Sequence, residues 1–270
     1  MSNTLNTVPE IGVESFRSRP AQISLRNVTK SFGNTVVALK DLNAEIRQGE
    51  FVAFLGASGC GKSTALRTIA GLTQPTSGTV DLHGVSSERS EIGFVFQEPT
   101  LMPWATVYDN VYLPLRLKGV PRAKADEAIQ AALSTVGLTD FAKTYPRQLS
   151  GGMKMRCSIA RAMVTKPKLM LMDEPFAALD ELTRQRLNDE FLSLWQRFGW
   201  TVVFVTHSVS EAAYLSNRTL VFSPRTSCIV DEIEIDVPYP RNRALRTDVH
   251  FQKIASTLSA ALHKASGAVQ

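Results

Sequence analysis

The chain lacks long apolar runs. The longest, "TVVFV" and "LMLM", fall well short of the roughly 20 residues a membrane-crossing helix needs, so any membrane role is expected to run through a partner. The opening "MSNTLNTVPEIGVESFRSRP" has no basic segment followed by an apolar core and does not read as a secretory signal; residues 1–21 are expected to be a flexible tail. Cysteine is scarce as well. Cys60, Cys157 and Cys228 are too few and too scattered for a disulfide framework or a metal site, which points to a reducing cytoplasm. Nor does one sign of charge dominate: 30 Lys and Arg stand against 25 Asp and Glu, and the net charge of +5 is dispersed, so no nucleic acid is expected as partner. There is no internal repeat and no low-complexity linker. What remains is a chain of 270 residues, 44% hydrophobic and 20% charged, with the composition of a globular protein that buries a full core.

Two kinds of strand are legible. In "QISLRNVTKSF" and "TVVALKDLNAEIRQGE" apolar residues alternate (Ile23, Leu25, Val28; Val37, Leu39) on either side of "GN", which predicts antiparallel strands in a small sheet. In "EFVAFLG", "LMLMD" and "TVVFVTH" the apolar residues are continuous, the pattern of strands covered on both faces of a parallel sheet. These three runs end in a glycine loop at Gly56, in Asp173 with Glu174, and in His207. Ligands of open parallel sheets bind at that C-terminal edge, so the three endings predict one site. Between Gln97 and Tyr145 the pattern turns helical: Pro121 opens a helix, Ala128, Ile129, Ala132, Leu133 and Val136 line one face, and Gly137 stops it. Ile233, Ile235 and Val237 alternate as an edge strand, and Phe251, Ile254, Leu258 and Leu262 space a closing helix.

"GASGCGKST" (Gly56 to Thr64) follows a predicted strand and precedes the predicted helix "ALRTIAGL". Glycines let backbone amides turn inward around phosphates, the helix start adds positive potential, Lys62 reaches the terminal phosphates and Ser63 offers a hydroxyl to Mg²⁺. A tight glycine turn capped by Ser63 would explain the glycines but leaves a lysine in that register without a reason. The cradle is therefore read as Gly56, Ser58, Gly59, Cys60, Gly61, Lys62, Ser63 and Thr64. Cys60, inside an anion-binding loop, is expected to be alkylated with loss of activity and to be protected by ATP. Asp173, ending an apolar run, suits Mg²⁺, and Glu174 beside it suits deprotonation of an attacking water. A helix-capping Asp-Glu pair is the plainer alternative, and the phosphate loop decides against it. His207 alone would read as a satisfied polar group; on the same sheet edge as Asp173 it is expected to sense the γ-phosphate. Gln97 follows a short apolar run in "FVFQEP", where a loop residue and a site residue fit equally.

The order of these pieces, with "LSGGM" about twenty residues ahead of the Asp-Glu pair, then "LMLMDEP", "ALD" and His207, resembles the ATP-binding subunit of ATP-binding cassette (ABC) transporters over about residues 22 to 240. "GFVFQEPTLMPWATVYDNV", "DELTRQRLNDEFLSLW" and "VTHSVSEAAYLSNR" look like the nitrate, sulfonate and taurine import ATPases of bacteria. The resemblance implies an α/β P-loop NTPase fold with an antiparallel β-subdomain and a helical subdomain at about 98–160, followed by a helical extension over 241–270. It implies two copies paired head to tail, with Ser150, Gly151 and Gly152 of one capping the γ-phosphate of ATP held by the other. A helix start bearing a hydroxyl and free amides suits that task, although Ser150 as a simple helix cap fits the same residues. By the same resemblance Phe32 is an aromatic platform for adenine, and Gln97 a Mg²⁺ and water sensor. Glu174 is the base, the stretch from Ala177 to Asp180 a subunit-crossing loop, and His207 the switch.

Three positions depart from the family pattern: Met155 where glutamine is usual, Ala177 for glycine or serine, and Ser208 for aspartate. None removes a catalytic group. The implied function is an ATPase using ATP and Mg²⁺, bound peripherally at the cytoplasmic face of the cell membrane. It would serve an integral membrane permease, fed by a periplasmic solute-binding protein. Leu101, Met102, Pro103, Trp104 and Tyr108 are the candidate docking surface. Two competitors have weaker claims: a soluble ABC ATPase acting on nucleic acid or ribosomes would bring a second cassette or added modules, and a P-loop kinase gives no reason for "LSGG".

Overall fold

The computed structural model of the chain describes residues 14–33, 36–85, 91–224 and 228–267. Helix α1 (Glu14–Arg17) comes first, followed by the long strands β1 (Ala21–Phe32) and β2 (Val36–Arg47). These two pair antiparallel, and β4 (Ser77–Leu82) joins the other side of β1, closing a three-stranded sheet in the order β2-β1-β4. A second sheet has six strands in the order β5-β6-β7-β3-β8-β9. Its members are β3 (Phe51–Leu55), β5 (Ile92–Val95), β6 (Leu169–Asp173), β7 (Thr201–Thr206), β8 (Arg218–Ser223) and β9 (Cys228–Glu234). The first five in that order run parallel and β9 closes the edge antiparallel.

Every residue of β3, β6 and β7 is buried, and the pleat explains why these runs are apolar without interruption. Successive side chains point to opposite faces. Phe51, Ala53 and Leu55, with Met170, Met172, Val202 and Phe204, enter one core with the helical region and the C-terminal helix. Val52 and Phe54, with Leu169, Leu171, Val203 and Val205, enter a second core. There they meet the antiparallel sheet through Ile23, Leu25, Leu39 and Ile46, and helix α2 (Lys62–Ile69) through Ala65, Leu66 and Ile69. The large sheet is thus a wall between two cores, and its C-terminal edge is left for chemistry.

The helical region contains α3 (Val107–Leu117), α4 (Arg122–Thr135) and α5 (Gly151–Met163). Thr106 caps α3, its hydroxyl accepting from Asp109 N; Pro121 precedes α4, and Gly137 at φ +67° ends the turn beyond it. Helix α6 (Glu181–Phe198) leads into β7, and α7 (Val209–Leu215) follows it.

Two expectations about the ends change. The tail expected over residues 1–21 is structured from residue 14: Phe16 is buried and stacks 6.1 Å from Trp195, while residues 1–13 lie outside the described ones. Strand β9 stops at Glu234, so Ile235 and Val237 are buried beyond it rather than alternating along an edge. The expected closing helix is α8 (Val249–Ser266): Phe251 and Leu258 join the core of the helical region, Ile254 and Leu262 pack against it, and the helix lies on α7 and β8.

Candidate nucleotide site

The phosphate loop is shaped by backbone geometry that only glycine tolerates. Gly61 caps α2 at φ +97°, and a Cβ there would lie 2.2 Å from the Ala38 carbonyl oxygen of β2. No acidic residue occupies the first turn of α2, so its positive end remains for an anion. Lys62 is buried beneath the loop, its Nζ donating to the carbonyls of Gly56 at 2.7 Å and Ala57 at 2.8 Å. Ser58 and Gly59 are exposed at the loop's crown, and Ser63 and Thr64 are half-buried in the first turn. Cys60 corrects the alkylation expectation. The residue is only 1% exposed and sits in the core with Val52 and Phe54, so it presents no accessible sulfur, and its N–H donates to Ala57 O at 3.4 Å.

The acidic half of the site arrives on β6. Ser63 Oγ donates to Asp173 Oδ1 at 2.6 Å. Burial pushes the Asp173 carboxyl up from its ordinary value, with the Ser63 hydrogen bond and Arg67, 4.0 Å away, pulling the other way. Glu174 follows in a left-handed backbone conformation, φ +44°, held by its N–H donating to Val205 O at 3.0 Å. Such a conformation costs about 1–3 kcal/mol and persists where surrounding structure enforces it. It brings the Glu174 carboxylate 3.8 Å from Lys62 Nζ and 2.9 Å from His207 Nδ1. His207 itself is exposed at the end of β7. The sheet order β5-β6-β7-β3 therefore sets Gln97, Asp173 with Glu174, His207 and the Gly56 loop at successive strand ends. Gln97, two residues past the end of β5, is exposed.

Oxygen donors on Ser63 and Asp173 within 2.6 Å of each other fit a hard cation that keeps most of its own water, as Mg²⁺ does. Among the described residues no cluster of three or more His, Cys, Asp or Glu could hold a metal ion.

Phe32 ends β1 half-exposed, with Lys30 Nζ 5.1 Å from its ring centre. It belongs to the β1–β2 hairpin that also carries Ala38 against Gly61. Ser150 caps α5, its Oγ accepting from Met153 N at 3.3 Å, and Asp180 caps α6, accepting from Thr183 N at 3.0 Å. These hydrogen bonds stay within their own helix starts. The glycines of "LSGG" permit a close approach: a Cβ at Gly151 would come 3.3 Å from Leu179, and one at Gly152 3.0 Å from Thr183. The start of α5 therefore abuts the Ala177–Asp180 loop of the same chain.

Two of the three departures from the family pattern, Met155 and Ser208, have local explanations, and Ala177 has none in the structure. Met155 is buried in the helical core, and Ser208 caps α7 by accepting from Glu211 N at 3.4 Å. Three contributors were not singled out from the sequence. Arg67 lies one helical turn beyond Ser63 and reaches Asp173; Thr206 and Glu211 brace the turn around His207, the glutamate four residues beyond it. Helical spacing was the signal for the first and the last.

A protein-family model described as ABC transporter matches residues 39–177. A putative ATP-binding protein of Brucella abortus is 47% identical over 86% of this chain and 90% of its own length. The nitrate import ATP-binding protein of Synechocystis is 43% identical over 84% and 89%, and the taurine import ATP-binding protein of Rhizobium johnstonii 40% over 86% and 91%. Among solved structures, a dimeric post-hydrolysis ATP-binding cassette bound to ADP and Pi superposes with a TM-score of 0.69 at 34% identity, covering 79% of this chain and 98% of that one.

Proposed function

Because the chain belongs to the ABC transporter family as an ATP-binding ATPase subunit, we propose that it drives import of a small solute through a separate membrane permease. The observation that carries the ATPase chemistry is the contact chain Lys62–Glu174–His207 beside Ser63–Asp173. Lys62 leaves the Gly56 and Ala57 carbonyls for the terminal phosphates of ATP. Glu174, aligned by His207, takes a proton from water as the water oxygen bonds to the γ-phosphorus; the bond to the β-bridging oxygen breaks, giving ADP and phosphate. Ser63, Asp173 and Gln97 would hold Mg²⁺, which would supply neutralising charge at the phosphates. Two copies pair head to tail, so that Ser150, Gly151 and Gly152 of one meet the nucleotide of the other, with the loop to Asp180 crossing between subunits and Phe32 beneath adenine.

Transport is supported by the import activities in the names of the Synechocystis and Rhizobium relatives. The solute belongs to the nitrate, sulfonate and taurine class and reaches the permease from a periplasmic binding protein. No helix among the described residues is long and apolar enough to cross a membrane. The chain works at the cytoplasmic face, docked on its permease. Trp104 is 77% exposed, and a cleft of about 460 Å³ is lined by Phe94, Phe96, Leu113 and Leu117. These are the surface offered to the permease, with Leu101, Met102 and Pro103. Tyr108 drops out, since it is buried and its hydroxyl donates to Asp126 Oδ1 at 2.7 Å.

An affinity pull-down from detergent-solubilised native membranes tests the reading. A multispanning protein recovered in about equal amount supports it; recovery with nucleic acid or ribosomes from the soluble fraction alone replaces it with the soluble ABC class.

A further inference from the structure

The turn that carries His207 is braced by a buried network that the hydrolysis chemistry leaves unused. Thr206 Oγ1 donates to Glu211 Oε2 and accepts from Ser208 N at 2.9 Å, so the residues on both sides of His207 are pinned. Glu211, with a side chain only 6% exposed, lies on α7 and faces Arg184 of α6. Arg184 Nη2 donates to the carbonyl of Leu179 at 2.9 Å, within the Ala177–Asp180 loop. The two charged groups approach without meeting. Arg184 Nε and Glu211 Oε1 stand 4.0 Å apart, and each is a buried polar atom without a hydrogen-bond partner. Native structures rarely leave such atoms unpaired without a purpose.

We infer that Arg184 and Glu211 are positioning residues for hydrolysis, holding the His207 turn and tying it to the Ala177–Asp180 loop. The route is continuous. The start of α5 touches Leu179 and Thr183; Leu179 is held by Arg184; Arg184 faces Glu211; Glu211 holds Thr206; and His207 meets Glu174 at 2.9 Å. A shift of α6 toward α7 of about 1 Å would turn two orphaned atoms into one charge-assisted hydrogen bond. A small movement of the loop is thereby felt at the histidine. Burial pushes the Glu211 carboxyl up from its ordinary value, with the Thr206 hydrogen bond and then Arg184 opposing, as a carboxylate short of one partner should show. The inference rests on the roles of Glu174 and His207 proposed above.

Steady-state ATPase assays on Glu211→Gln, Arg184→Gln and the double variant test it, alongside binding of a fluorescent ATP analogue and melting temperature. Each single variant is expected to lower kcat about 2- to 30-fold, the range of couplings carried through packed networks. Nucleotide affinity should stay within about twofold, as for sites without shared partners. The double variant should be no worse than the worse single one, because both act through one contact. Should either variant fail to fold, Thr206→Val replaces them, with Thr206→Ser expected to restore the lost rate. Folded variants turning over at the wild-type rate overturn the inference, as does a loss confined to KM or a double variant whose losses simply multiply. A wild-type chain that binds ATP and never hydrolyses it strikes instead at the reading of Glu174 and His207.

Discussion

Lys62 shows how one residue is both structural and chemical. Its ammonium holds the loop carbonyls of Gly56 and Ala57 while lying 3.8 Å from Glu174, so the loop is kept in shape by the group proposed to receive the phosphates. Glu174 is set on the opposite side by its left-handed backbone and by His207. Glu174→Gln should slow hydrolysis about 10²- to 10⁴-fold, the contribution expected of a general base, while ATP binding persists; single-turnover assays with bound ATP check this. Gly61→Ala places a methyl 2.2 Å from the Ala38 oxygen in a backbone region closed to alanine, and is expected to cost at least about 1–3 kcal/mol and abolish nucleotide binding, read by calorimetric titration. The thiols supply a further check. Cys60 and Cys157 are buried, and burial pushes the Cys157 thiol up to about 12, whereas Cys228 is partly exposed. A disulfide-exchange reagent should therefore titrate one of the three cysteines quickly in the native protein and all three after denaturation. At this scale the phosphate loop, Asp173, Glu174 and His207 were legible because each chemical group follows a recognisable strand. Arg184 was not, because its role depends on where α6 lies relative to α7.

Among the elements, three helix starts carry side-chain caps: Ser150 on α5, Asp180 on α6 and Ser208 on α7. A cap is readable from residue type and spacing. What grips the other end of α7 is not. Arg241, beyond the last strand, is buried and donates to the carbonyls of Ala213, Tyr214, Ser216 and Val237, with its guanidinium 4.0 Å from the Tyr239 ring centre. It satisfies the open carbonyls at the end of the helix that begins beside His207, and burial lowers its pKa from the ordinary arginine value. Arg243 and Arg246 hold Asp189 on α6 at 2.9 and 3.1 Å, so this segment ties α6 and α7 together. Arg241→Met should lose about 3 kcal/mol of stability or more, because several buried acceptors lose their donor at once; the urea midpoint measures it. Strand β4 escaped the sequence for a different reason: it is an edge strand, its residues are exposed or half-buried, and no apolar alternation marks it.

Across the whole molecule, the large sheet separates two cores and gathers the site along one edge, while "LSGG" opens a helix whose own hydrogen bonds remain local. Head-to-tail pairing makes a prediction that a monomer does not. Lys62→Ala and Ser150→Arg should each abolish ATPase activity alone, and an equimolar mixture should recover up to about a quarter of it, since half the dimers carry one intact composite site out of two. No recovery, with subunit exchange shown by labelled chains, rules the pairing out. The sequence by itself determined the parallel sheet, the helical insertion, the phosphate loop and the acidic strand end, because these depend on periodicity and on residue types within a few positions of one another. Tertiary structure alone decided that Cys60 turns into the core, that Phe16 and α8 belong to that same folded body, that Arg184 faces Glu211, and that Arg241 holds the end of α7. Those facts depend on which distant segments share a buried space, and no local spacing encodes that.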